Sequence, residues 1–129
     1  MTWATKLAGV SLVQERLDEA KAFYTEVFEL QAVFEDENNA VFKIGETVVH
    51  LLGIGAAPDL IGPGAVAAPS AGHRAQLTVK VDDVDDLCRQ LVQRGVRIQS
   101  GPMDRSWGIR TANFEDPGGH LWEVWADLP

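Results

Sequence analysis

Residues 107–125 read Trp-Gly-Ile-Arg-Thr-Ala-Asn-Phe-Glu-Asp-Pro-Gly-Gly-His-Leu-Trp-Glu-Val-Trp. Two β-prone runs, 109–114 and 120–125, flank Asp116-Pro117-Gly118-Gly119. Proline presets φ at one turn position and glycine supplies φ > 0 at another, so the stretch predicts a β-hairpin that closes a sheet. In its second strand Leu121, Glu123 and Trp125 share one face while Trp122 and Val124 share the other, because side chains alternate across a strand. A carboxylate among apolar neighbours must reach water or meet a partner, which singles out Glu123.

Working upstream, residues 76–81 alternate, with Leu77, Val79 and Val81 facing one way and Gln76, Thr78 and Lys80 the other. Asp82-Asp83 then offers an N-cap. Val84, Leu87, Cys88 and Leu91 trace a helical stripe that stops at Gly95. Residues 96–98 read as a short strand and 100–106 as a loop. The first half follows the same order. Residues 6–14 alternate, and Leu17, Ala20, Tyr24, Val27 and Phe28 recur at helical spacing over 17–28. Short β-prone runs follow at 31–34, 40–44 and 47–52. A shift of 67 residues lays Val10 on Leu77, Leu12 on Val79, Leu17 on Val84, Ala20 on Leu87 and Tyr24 on Leu91.

The predicted fold class is therefore α+β: two tandem βαβββ modules forming a curved mixed sheet, with helices on the outer face and a concave ligand cavity. Module 1 spans about 5–54, a Gly/Ala/Pro-rich linker 55–72, and module 2 about 73–127. The helices cover the face carrying Val10, Leu12, Leu77 and Val79. Gly9, Ser11, Val13, Gln76, Thr78 and Lys80 then line the concave side, where a small molecule would bind.

Composition limits the partners. With 46% hydrophobic and 23% charged residues, 129 residues suit one globular unit or two small halves. The net charge of −8 repels phosphate backbones and anionic lipid, so neither nucleic acid nor membrane is expected as a partner, and cationic ligands are favoured. The linker is too poor in large apolar residues to span a bilayer. No basic segment leads into an apolar one at the N-terminus, and the single Cys88 has no partner for an internal disulfide. A cytoplasmic location is the expectation. No Ser-His-Asp or Cys-His arrangement, phosphate-binding glycine loop or dinucleotide fingerprint is legible. His73 and His120 read as surface or turn residues. Residues 82–86 read as carboxylates at a helix N-terminus, favoured there by the helix dipole.

Leu17-Asp18-Glu19-Ala20-Lys21-Ala22-Phe23-Tyr24 with Phe28-Glu29-Leu30, then Val81-Asp82-Asp83-Val84, then Phe114-Glu115-Asp116-Pro117-Gly118-Gly119-His120 leading to Glu123, resemble the vicinal oxygen chelate superfamily. That superfamily includes glyoxalase I, extradiol dioxygenases and the bleomycin- and fosfomycin-resistance proteins. The resemblance covers nearly the whole chain. It implies metal-ligand positions at Gly9, His50, Gln76 and Glu123. Glycine supplies no ligand, and Gln76 is a neutral amide where histidine is expected. If a metal binds, the set would be His50, Gln76 and Glu123 around Zn, Ni, Mn or Fe, in a lyase, isomerase or dioxygenase. The favoured expectation is a metal-free small-molecule binding protein like the bleomycin-resistance members, sequestering an antibiotic or toxin as a homodimer. Ser11, Gln76, Thr78, Trp107, Arg110, Glu123 and Trp125 are its expected ligand-binding residues. Tryptophan faces suit planar cations by stacking and cation–π attraction, whereas a cavity arginine at 110 would suit an anion.

Overall fold

The computed structural model describes residues 2–129. The chain divides into two compact units, the first running to Ala68 and the second beginning at Pro69.

In the first unit β1 (Gly9–Gln14) leads into α1 (Leu17–Glu26), followed by β2 (Phe34–Glu35), β3 (Asn39–Ile44) and β4 (Thr47–Gly53). The sheet order is β1-β4-β3-β2, with β1 parallel to β4 and the other neighbours antiparallel. The first and last strands can pair in parallel because α1 carries the chain back across one sheet face. Its apolar stripe decides which face. Ala20, Tyr24 and Val27 are buried, and the Tyr24 ring packs 4.9 Å from Phe28 and 5.8 Å from Phe42 between centroids. Leu12, Phe42, Val49 and Leu51 complete this core. Ser11 and Gly9, pointing the other way, are exposed.

The second unit repeats the plan with β5 (Gln76–Lys80), α3 (Val84–Gln93), β6 (Ser100–Asp104), β7 (Ile109–Glu115) and β8 (Leu121–Asp127). Its order is β5-β8-β7-β6. The 67-residue shift carries the ends of α1 onto the ends of α3. Asp83 caps α3 by accepting from the Asp86 N–H at 3.0 Å. Val84, Cys88 and Leu91 bury against Ala112, Phe114, Trp122 and Val124. Burial also raises the Cys88 thiol pKa above its ordinary value, which keeps it protonated and unreactive. At the hairpin the Asp116 carboxylate accepts from the Gly118 and His120 N–H groups at 3.0 and 2.9 Å. Gly119 sits at φ 85°, where a Cβ would come within 2.7 Å of the Pro69 carbonyl oxygen. Only glycine fits there.

The strands form two four-stranded sheets, one in each unit, which refines the single curved sheet expected from the alternation. The strand expected at 96–98 is also absent. The Val96 N–H instead closes the end of α3 on the Leu91 carbonyl at 2.9 Å, and the strand is Ser100–Asp104, within the stretch expected to be a loop. Gly101 and Pro102 hide it, yet β6 is an edge strand, where a missing N–H is tolerated. The first unit's second strand is Phe34–Glu35 and not 31–34. The linker is not wholly irregular: a 3-10 turn (Ile54–Ala56) runs into α2 (Ala57–Ile61), with Pro58 in the first turn, where it displaces no hydrogen bond. No helix among the described residues is long and apolar enough to cross a membrane.

Candidate ligand site

The second sheet presents its uncovered face through β5, β8 and β7. The register partners are Thr78 with Glu123, Lys80 with Trp125, Asn113 with Glu123 and Thr111 with Trp125. Partners in register share a face, so these side chains stand together. Gln76 pairs with Leu121 and lies diagonally from Glu123 on the same face. Glu123 is half-buried. Its side-chain hydrogen bond is to the Thr78 hydroxyl, which donates to Oε1 across 3.4 Å. That distance is long for an O–H···O bond. Beside it the Lys80 ammonium stands 5.0 Å from the Trp125 ring centroid and 2.9 Å from the Asp127 carboxylate. An aromatic face that already draws a cation and a carboxylate without a cationic partner lie side by side.

Arg110 does not join them. Its register partner is Ala126, which puts it on the face covered by α3. There Nη2 lies 3.0 Å from the Asp85 carboxylate and Nη1 donates to Asp104 at 2.7 Å. Hydrogen bonds to Asp104 and Asp85 raise its pKa further, so it is a permanent structural cation. The expectation of a cavity arginine at 110 is thus corrected by strand parity. Arg105, which carries no signal in the sequence pattern, stands instead beside Thr111 and Trp107: its Nε donates to Thr111 Oγ1 at 3.0 Å, and its guanidinium lies 6.0 Å from the Trp107 ring. Trp107 is 68% exposed in the loop before β7. Trp122 is buried beneath α3. His73 lies 3.7 Å from Glu115, and His120 serves the turn.

The first sheet carries the counterpart face, and its polar groups are bonded to one another. Ser11 and His50 are register partners, as Thr78 and Glu123 are in the second unit, so His50 is the internal equivalent of Glu123. Ser11 Oγ lies 3.0 Å from His50 Nδ1, and His50 Nε2 lies 2.7 Å from Asn39 Oδ1. Asn39 Nδ2 in turn donates to Asp36 Oδ1 at 2.9 Å. That bond, with the Asn38 N–H, holds the Asp36 carboxyl below its ordinary value. An open recess of about 370 Å³ adjoins this chain, walled by Ala8, Gly9, Val41 and Val48 beside Ser11 and His50.

The family's metal is a poor match to these residues. A Cβ on Gly9 would lie 2.9 Å from the Val48 carbonyl oxygen and 3.0 Å from its Cβ, so the backbone there approaches β4 too closely for a ligand-bearing side chain. Both His50 ring nitrogens are already bonded, and a metal would have to displace one of those bonds. Among the described residues no three His, Cys, Asp or Glu side chains converge as a metal-holding group.

Two βαβββ units in tandem, each with a helix on one face of its sheet, define the class of fold. The chain belongs to the glyoxalase/bleomycin resistance protein/dioxygenase superfamily, whose family model matches residues 6–124. It is 30% identical over 127 residues to the uncharacterized protein YraH of Bacillus subtilis (strain 168), covering 95% of this chain and 99% of YraH. Among solved structures it resembles a glyoxalase/bleomycin resistance protein/dioxygenase from Nocardioides, with TM-score 0.87 at 23% identity, covering 99% of this chain and 87% of that one. Lactoylglutathione lyase from Agrobacterium tumefaciens gives TM-score 0.78 at 22% identity, covering 97% of this chain and 96% of the lyase. TnmS3, an antibiotic binding protein from Streptomyces sp. CB03234, gives 0.72 at 23% identity, covering 98% and 99%. At these identities the structural matches speak for the fold alone.

Proposed function

We propose that this protein binds a small planar molecule, cationic or rich in N–H donors, on the face carrying Gln76, Thr78, Glu123 and Trp125, and sequesters it without metal-dependent chemistry. The observation that carries this reading is Glu123, a half-buried carboxylate with one long hydrogen bond, next to a tryptophan ring already approached by an ammonium. A ligand cation would take the place of Lys80 over the ring and gain Glu123 as a counter-ion. The superfamily fold serves both a lyase and an antibiotic-binding protein, so the fold does not choose between them. The site supports the binder, because Gly9 supplies no ligand and His50 is committed to Ser11 and Asn39. Trp107 is proposed as a further contact; Ser11, which belongs to the first unit, and Arg110, which faces α3, are not.

Tryptophan fluorescence tests the reading. Planar cations, neutral aromatics and aromatic acids are titrated into the protein, its Trp125→Ala variant and its Glu123→Gln variant. Cations should bind best, and Trp125→Ala should weaken them by about 1–3 kcal/mol, as for loss of an aromatic anchor. Glu123→Gln keeps the shape and should weaken cations selectively. Preferential binding of acids, unaffected by either change, would overturn it.

A further inference from the structure

The hydrogen-bonded chain of the first sheet has a direction. Asp36 is a carboxylate, so the Asn39 group facing it must be the NH₂. The Asn39 oxygen therefore faces His50 Nε2, and that nitrogen must carry the proton. With its single proton on Nε2, the ring presents Nδ1 as a lone pair to the Ser11 hydroxyl at 3.0 Å. A hydroxyl within hydrogen-bond reach of a base, the base oriented by a third group, is the general arrangement of an activated nucleophile. Asn39 lies outside the residues that the sequence marked, because β3 brings it to His50 from 11 positions away.

We propose that Ser11 is a nucleophile activated by His50, and that the recess beside it accepts small neutral carboxylic esters. The walls supply the substrate class. Ala8, Gly9, Val41 and Val48 present no charge, and about 370 Å³ holds a short acyl chain. Ser11 Oγ bonds to the acyl carbon and its proton passes to Nδ1. The ester C–O bond breaks and the Nδ1 proton leaves with the alcohol. Water then attacks the acyl carbon and gives its proton to Nδ1. The carboxylic acid departs as Oγ recovers that proton, with no change of oxidation state. Asn39 and Asp36 act only by holding the ring. The proposal is independent of the ligand face on the second sheet.

The full-length protein is treated with a fluorophosphonate probe, and separately with p-nitrophenyl butyrate. One phosphonyl group per chain should form and map to Ser11 by peptide mass spectrometry, and the ester should release a burst of nitrophenol stoichiometric with protein. Ser11→Ala should abolish both. His50→Gln, which keeps hydrogen bonding at that position but accepts no proton, should slow labelling by about a hundredfold or more, as is typical of a lost general base. Absence of label on the wild type, label at another residue, or unchanged labelling of Ser11 in His50→Gln would each overturn the proposal.

Discussion

Glu123 and Trp125 carry the proposed recognition because a strand places both on one face, two residues apart, with Thr78 and Lys80 opposite them in register. The arginines separate the site from its scaffold. Arg110 joins β7 to α3 through Asp85 and to β6 through Asp104. Removing its side chain leaves two carboxylates without their cation. Arg110→Ala should therefore lower stability modestly, read as a fall in the urea-unfolding midpoint. Affinity for the ligand should not change. Arg105→Ala should do the reverse, freeing the exposed Trp107 ring and altering ligand affinity with little effect on the unfolding midpoint. If Arg110→Ala abolished binding while the protein stayed folded, the assignment of faces would be wrong.

At the level of elements, α1 and α3 were legible because burial imposes a 3.6-residue period on both, and the strands flanking them because one face is covered and the other is not. The same parity placed Trp122 under a helix and Glu123 opposite it. What stayed hidden was structure without periodicity. β6 contains Gly101 and Pro102 and reads as a loop, and the residues of α2 show no apolar stripe. Arg110 was read as a cavity residue because a charged side chain on β7 suggests the face not covered by a helix, whereas α3 offers it Asp85 on the covered side. Asn39 was missed because its role depends on a contact between strands. The cap of α3 gives a test at this scale. Asp83→Ala removes the acceptor for the Asp86 N–H and should cost about 1 kcal/mol in thermal or urea unfolding. Asp83→Asn, which retains the acceptor, should cost much less. Equal losses would show that charge near the helix end, and not the hydrogen bond, is what matters.

For the whole molecule, the acidic balance of −8 and the open faces of the two sheets are the features that bear on partners. β2 is an edge strand of only two residues, and Phe34 on it is 57% exposed with Val33 beside it at 63%. Apolar side chains along an unpaired edge favour association with a second copy. We expect a homodimer, with light scattering at micromolar concentration giving twice the chain mass. Phe34→Lys should shift it toward monomer, and a wild-type monomer would contradict this expectation.

The central claim is that ligand binding needs no metal. Calorimetric titration of a planar aromatic cation into protein stripped by a chelator, with and without added zinc or nickel, tests it most directly. The same affinity and stoichiometry are expected in every case. Binding or turnover that vanishes on stripping, returns with the metal, and is lost in His50→Ala and Glu123→Ala would contradict it.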